Sequence, residues 1–454
     1  MFKEKRSVLV QLDRKTILKM MIPMMIDQLF IVLLPMVNTI IVSRLGQNSL
    51  SGLSIIDQVN MMVGYVVVAI AFGAMVVVAQ YTGKGDSEAV YKAVKQSYTS
   101  SLYIAAGLSA FMVFFADPVV GLALRGAELE MQTIARTYLR ITALSYPLYC
   151  FYNNSASLLR GVGDTRRSML MTIVMNSSQL VFSFTFIYIL ELGIYGAAYA
   201  SLCGRLIGAV MGAVLVRKRG LVKGFKDIFG FKLDFELQKR FVRFGVPAGA
   251  QSVFFMMARL IMNVNILMAG GDHISANVVY TQLIDLQCAG SSMAIMISPT
   301  IMGMAKGLGD EEGMKKAFKD VMFFSFWFGL TFALLPYTFM GPLIGMYNLS
   351  PQAFTLAKTA LMWNPIFVIP LTWFAGAAPT CFRGVGDTFV PPIITVSSLW
   401  IARVGTVVFL CTQYNMGLYA GFFGIAADYA MRTVLYVWRY KSGAWLKASR
   451  KVAV

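Results

Sequence analysis

The hexapeptide Arg160–Gly161–Val162–Gly163–Asp164–Thr165 recurs letter for letter at Arg383–Gly384–Val385–Gly386–Asp387–Thr388. Each copy follows one long apolar run and precedes another. A polar hexamer that returns half a chain later predicts a duplicated chain, and the flanking sequence agrees. At a shift of 224 positions Pro23 meets Pro247, Gly46 meets Gly270, and Gly83, Gly85 and Asp86 meet Gly307, Gly309 and Asp310. Lys92, Ala93 and Lys95 meet Lys316, Ala317 and Lys319, and Gly193 and Tyr195 meet Gly417 and Tyr419. At a shift of 223, Pro147 meets Pro370 and the hexamers coincide.

The chain is 57% hydrophobic and 14% charged, where a soluble protein would carry about 25% charge. Its apolar blocks run to roughly 20 residues or more, enough to cross about 30 Å of hydrocarbon as helix. The expectation is an all-α membrane protein with 12 transmembrane helices, at 16–43, 52–80, 94–116, 134–158, 168–190, 194–216, 240–268, 275–304, 318–342, 353–381, 390–411 and 416–439. Six spans per half is even, so the two bundles should enter the membrane in the same sense, related by a pseudo-twofold along its normal. The expected organisation is an N-terminal six-helix lobe over 1–216, a cytoplasmic linker over 217–239 and a C-terminal six-helix lobe with a cytoplasmic tail over 240–454.

Net charge is +18, and its distribution argues for topology rather than nucleic acid. Of 40 Lys and Arg, 31 fall in the N-terminal tail, the segments 81–95, 159–167, 217–243 and 305–320, at Arg383, and in the tail from 439. The opposite loops and span ends hold Arg44, Arg125, Arg136, Arg140 and Lys358. The positive-inside rule then places both termini in the cytoplasm, with anionic lipids as the partner of the basic face. No cleavable signal peptide is read, because the first apolar run is too long for one. The five cysteines (Cys150, Cys203, Cys288, Cys381, Cys411) lie in apolar runs without CxxC spacing. They read as small packing residues in a bacterial inner membrane protein, with no transition-metal site.

The hexamer has a structural reading. Gly161 and Gly163, like Gly384 and Gly386, permit a tight turn at the cytoplasmic end of the fourth and tenth spans. Asp164 or Thr165, and Asp387 or Thr388, can cap the following helix. Arg160 and Arg383 suit the helix end and the lipid headgroups. A latch between lobes is the competing functional reading.

With Gln80–Tyr81–Thr82–Gly83–Lys84–Gly85–Asp86 after the second span and Leu192–Gly193–Ile194–Tyr195–Gly196–Ala197–Ala198 opening the sixth, the paired hexamers resemble the multidrug and toxic compound extrusion (MATE) family. The resemblance runs from about Ile17 to Arg439. It implies a V-shaped pair of six-helix bundles that exports bulky, often cationic or amphiphilic compounds in exchange for H⁺ or Na⁺. No further cofactor is implied; the expected partners are membrane lipids and small organic substrates, and the expected state is a monomer.

Charge inside hydrocarbon is costly and usually faces a cavity. Asp27 lies four residues after Pro23, where a bend would free a carbonyl, and Asn38 follows three turns later on the same face. The family pattern has an aspartate at Asn38, an Asn and an Asp at Gln179 and Ser183, and a glutamate at Phe255, so neither family cation site carries over intact. Asp27 therefore becomes the expected main coupling residue and Asp57 its auxiliary; simple packing of Asp27 and an interfacial helix cap at Asp57 are the alternatives. In the second half, Arg259 and Asp285 form the expected charge pair, with Asp285 a further coupling candidate. Asp428 and Arg432 read as a local i,i+4 pair. The substrate cleft is expected around Tyr146, Tyr149, Asn153, Asn154, Gln179, Gln251, Met256, Asn263, Gln282 and Trp373, since aromatics, amides and methionines suit flat, weakly specific ligands.

A flippase for a lipid-linked sugar would want clustered basic residues, and Arg205, Arg259, Arg403 and Arg432 are scattered over four helices. A membrane enzyme would want a catalytic constellation, and the single histidine, His273, reads as a solvated loop residue.

Overall fold

Within hydrocarbon every backbone N–H and C=O must be bonded inside its own segment, so apolar runs of this length fold as helices. The computed structural model describes residues 12–43, 47–123, 129–224, 232–334, 339–347 and 349–451. Gly46, Arg44 and Arg125, used above for register and topology, lie outside the described residues.

All the elements among the described residues are helical. The first half holds α1 (Arg14–Ser43), α2 (Gln47–Lys84), α3 (Ser87–Phe114), α4 (Ala116–Ala123), α5 (Leu129–Leu144), α6 (Tyr146–Gly161), α7 (Thr165–Phe184) and α8 (Gly193–Lys218). The second holds α9 (Phe235–Met268), α10 (Gly271–Gly307), α11 (Glu311–Leu334), α12 (Met340–Gly345), α13 (Pro351–Phe367), α14 (Ile369–Gly384), α15 (Val390–Ser398), α16 (Gly405–Tyr414), α17 (Leu418–Lys441) and α18 (Ala444–Arg450). A π-helical segment, Thr185–Ile189, ends α7, and another, Leu399–Val404, joins α15 to α16.

Among the described residues nine helices are long and apolar enough to cross a membrane, or ten if α13 and α14, bent by 68°, count as one span. The two expected spans that fall short do so for different reasons. The fourth breaks at Ser145, whose side chain and backbone N–H both bond the Thr142 carbonyl, and Pro147 opens α6. The twelfth, α17, is one helix of 24 residues, about 36 Å long, but Asp428, Arg432, Arg439 and Lys441 lower its apolarity.

The chain divides into two compact units. One comprises Met1–Leu29, Gly83–Gly85 and Ala250–Val454; the other comprises Phe30–Thr82 and Asp86–Gly249. The expected lobe boundaries differ from these units in three places, at Met1–Leu29, at Gly83–Gly85, where a Cβ on Gly83 would press on the Met304 carbonyl oxygen, and at 240–249. The start of α1 is tied to the second half by an Arg14–Asp320 ion pair at 2.7 Å and by Gln28 Nε2 donating to Met296 Sδ at 3.1 Å. The start of α9 is tied to the first half, where a Cβ on Gly245 would fall 2.5 Å from the Ala69 carbonyl oxygen.

The two hexamers do equivalent work in their own units. A Cβ on Gly161 would lie 2.9 Å from the Met75 carbonyl oxygen, and one on Gly384 would lie 2.7 Å from that of Pro299. Met75 and Pro299 are register partners, so the same backbone-close crossing is built twice. Gly163 and Gly386 take φ of +78° and +104°, the region glycine enters without strain. Asp164 caps α7 through the Arg167 N–H at 3.3 Å and pairs with Arg167 and Arg219. In the second copy Asp387 pairs with Arg439 at 2.7 Å, and α15 begins only at Val390. Each aspartate thus ties its turn to the end of its half's last long helix.

The arginines correct the expectation made for them. Arg160 and Arg383 are buried rather than directed to headgroups, Arg160 donating to Ser157 Oγ at 3.0 Å and Arg383 to Gln251 Oε1 at 3.4 Å.

Candidate functional site

The N-terminal polar cluster is built by α2, α5, α6 and α8. Asp57 on α2 accepts from Tyr138 Oη of α5 at 3.0 Å and, at the long limit, from Asn60 Nδ2 at 3.4 Å. The Asn60 oxygen in turn accepts from Tyr146 Oη at 2.7 Å and Thr142 Oγ1 at 3.3 Å. Behind them Arg205 of α8 donates to Ser145 Oγ and stacks its guanidinium 4.8 Å from the Tyr149 ring centroid. The break at Ser145 therefore has a function in the cluster: it frees a hydroxyl for the arginine. One phenol and one amide donate to the carboxylate, with a second phenol holding that amide, a cradle that can keep the carboxylate as an anion or let it pair with a bound cation.

Asp57 is exposed. Asp27, by contrast, is fully buried on α1, which continues as helix through Pro23. The two acids expected to share one lobe fall in different units, Asp27 packing with the C-terminal residues. Asn38 is half-buried, and its side-chain oxygen has no hydrogen-bond partner among the described residues.

In the C-terminal unit Arg259 and Asp285 are both exposed and attract each other, but they do not approach within ion-pair distance. The charges that do meet are Arg403, Asp428 and Arg432. Asp428 is completely buried, with Arg403 Nη2 at 2.9 Å, Arg432 Nε at 2.6 Å and Ser398 Oγ at 2.6 Å. The i,i+4 spacing correctly pairs Asp428 with Arg432. The third member, Arg403, was invisible because its partner is on another element, and the tally of scattered arginines is corrected accordingly. Nearby, Tyr280 Oη donates to Asn364 Oδ1 at 3.0 Å, and Asn364 Nδ2 donates to Gln287 Oε1 at 2.9 Å.

The repeat register explains where this triad sits. At the same shift of 224, Arg403 and Asp428 correspond to Gln179 and Gly204. A Cβ on Gly204 would meet the Gln179 Cβ at 2.8 Å, so a neutral contact in one half is a charged contact in the other.

The remaining cleft candidates divide. Tyr146 and Asn154 are buried, Asn154 accepting from Ser97 Oγ, and each is fixed by packing inside its unit. Tyr149 and Asn153 are half-buried on α6, Asn153 Nδ2 donating to the Tyr149 carbonyl at 3.0 Å. Gln251 receives Arg383, Asn263 receives Asn277 Nδ2 at 3.2 Å, and the exposed Gln282 receives Tyr347 Oη at 2.8 Å. Trp373 Nε1 donates to the Pro370 carbonyl at 2.8 Å, and Met256 is half-buried on α9. His273 is not merely solvated: its Nδ1 accepts from the Leu418 N–H at 3.2 Å, at the start of α17. Tyr138, Asn60 and Thr142 were missed altogether; no local motif marks them, and only the fold gathers them around Asp57.

The sequence profile of the MatE family matches residues 23–185 and 247–408, one match per half. A probable multidrug resistance protein NorM from Thermotoga maritima is 26% identical over 96% of this chain and 93% of its own length. An uncharacterised transporter, YisQ, from Bacillus subtilis is 23% identical over 90% of each chain. Among solved structures, a MATE protein crystallised in complex with MaL6 superposes with a TM-score of 0.89 at 24% identity, covering 97% of this chain and 100% of that one. A MOP-superfamily transporter from Pyrococcus furiosus, described as having a binding pocket of reverse polarity, superposes with a TM-score of 0.88 at 24% identity, covering 98% of this chain and 100% of that one.

Proposed function

The chain belongs to the MatE family of multi-pass membrane transporters, and from that premise we propose that it is a secondary antiporter. It exports bulky, often cationic or amphiphilic organic compounds in exchange for H⁺ or Na⁺ by alternating access. Asp27 is the main coupling residue and Asp57 the auxiliary one.

The observation that carries this reading is Asp27, a completely buried carboxylate inside the apolar span Arg14–Leu34. A carboxylate in such surroundings is stable when protonated or when a cation sits against it. Binding and release of that charge changes what α1 must accommodate, which is the requirement for coupling an ion gradient to a conformational cycle. Asp57 supports the reading from the other unit, as an exposed acid held by the Tyr138 phenol and the Asn60 amide. No family cofactor other than the coupling ion enters this scheme.

The test is efflux of ethidium and norfloxacin from proteoliposomes under separately imposed ΔpH and Na⁺ gradients. The gradient that drives efflux identifies the ion. Asp27→Asn should lower gradient-driven efflux by roughly 100-fold, the scale on which a lost essential proton-transfer group acts, while the protein still elutes as a folded species. Asp57→Asn should slow efflux without abolishing it. Efflux by Asp27→Asn at the wild-type rate would rule out the assignment.

A further inference from the structure

The Arg403–Asp428–Arg432 triad has more positive than negative charge. One carboxylate, already accepting from Ser398, serves two guanidinium groups. The Arg403 Nε, on a residue 5% exposed, has no hydrogen-bond partner among the described residues. The side chains facing the triad from its neighbours are Phe255 of α9, Tyr280 and Cys288 of α10, and Tyr429 and Tyr436 of α17; none contributes a countercharge as a neutral group. The next charges out are Asp285 and Arg259, which offset each other, and Arg383 beyond Tyr436, which adds to the surplus. An uncompensated cation inside an apolar bundle is costly and marks a functional position. Arg403 also sits on the π-helical segment Leu399–Val404, a distortion frequent at functional sites.

We infer that the surplus cation at Arg403 is a subsite for the anionic group, a carboxylate or phosphate, of an amphiphilic ligand. The Nε–H is unpartnered but shielded from solvent; once the cover over it moves aside, it supplies a charge-assisted hydrogen bond to such an oxygen. Phe255 covers the approach: its ring centroid lies 5.7 Å from the Arg403 guanidinium carbon, and it is 39% exposed. Arg259 lies exposed one turn further along α9. The substrates favoured are then zwitterionic or anionic amphiphiles rather than simple cations. This inference deepens the export reading and rests on it.

The test uses the full chain in lipid nanodiscs and compares binding of norfloxacin, which bears a carboxylate, with its methyl ester. The wild type should bind the acid at least roughly tenfold more tightly, the worth of one charge-assisted hydrogen bond. Phe255→Glu leaves the triad intact and places an intramolecular carboxylate beside Arg403, so it should erase the preference for the acid; Arg403→Gln should do the same. Equal affinity for acid and ester in the wild type, or an undiminished preference in folded Phe255→Glu, would overturn the inference. Repeating the measurement as phosphatidylglycerol replaces phosphatidylcholine separates the two sources of the anion. Competition assigns the subsite to a lipid phosphate, its absence to a free carboxylate, and both uphold the anion site. Failure of the export reading shows up separately, as no gradient-driven movement of either compound in proteoliposomes despite an intact binding preference.

Discussion

A Cβ at Gly384 would press within 2.7 Å of the Pro299 carbonyl and 2.9 Å of the Met302 Cβ. Backbone cannot yield as a flexible side chain can, so the added methyl must push α14 off α10. Gly384→Ala should cost about 1–3 kcal/mol, the usual range for overpacking, and Gly161→Ala a similar amount at the α6–α2 crossing. Gly107→Ala, where nothing lies within 4 Å, should leave stability unchanged or slightly raised. Thermal unfolding in detergent reads all three; equal midpoints would remove the crossing role from the hexamer. These glycines were legible in the sequence because the repeat quoted them twice. Asp428 with Arg432 was legible too, because one turn of helix separates them. Tyr138 and Asp57 were not, since 81 positions lie between them and a bare tyrosine carries no mark of its partner. Arg403 was noted without a partner for the same reason: pairing across elements is set by packing, not by spacing.

At the scale of elements, ten of the twelve expected spans correspond to helices or a helix pair that pass on length and apolarity. Hydropathy reads a run, not its interruptions, so the break before α6, the 68° bend between α13 and α14, and both π segments were hidden. The tail after α17 read only as basic. It in fact turns at Gly443, φ +65°, into α18, where Trp445 is buried among Phe318, Phe382 and Tyr440. Arg450 closes the helix end by a bidentate pair with Glu311 at 2.6 and 3.0 Å, which holds the Glu311 carboxyl below its ordinary range. The junction between α14, α15 and α17 gives a pH test. Burial raises the Asp387 carboxyl above its ordinary value, against the opposing pull of Arg439. A raised folded pKa favours the protonated fold: its stabilising contribution is full below the unfolded value, near 3.8, and is lost as pH rises through the folded one. Arg439→Ala removes the opposing pull and leaves a buried carboxylate without its cation. It should cost about 3–5 kcal/mol near neutral pH and recover part of that loss on acidification. Asp387→Asn should cost less and abolish the recovery. Thermal melts across pH 4–8 distinguish these outcomes, and a loss in Arg439→Ala that does not change with pH would count against the burial argument.

For the whole molecule, the duplication makes a claim about membrane topology that either half alone could not make. Each half matches the MatE profile once, and the crossing of Gly161 on Met75 is repeated by Gly384 on Pro299, at shifts of 223 and 224 positions. If each half has an even number of spans, register partners must face the same side of the membrane; an odd number would place them on opposite sides. Glu88 and Glu312 are such partners, 224 positions apart, and both are exposed at the start of α3 and α11. They lie within the basic segments that should face anionic cytoplasmic lipid. Thr133 on α5 and Gln352 on α13 are exposed and belong to the sparsely basic side. In a cysteine-free background, Glu88→Cys and Glu312→Cys should both react with an impermeant maleimide only in inside-out vesicles, and Thr133→Cys and Gln352→Cys only in right-side-out ones. Reaction of the two glutamate positions from opposite sides would break the parallel duplication itself. Reaction of both from outside would preserve the duplication and invert the orientation, placing the basic loops against the charge asymmetry that normally sets topology.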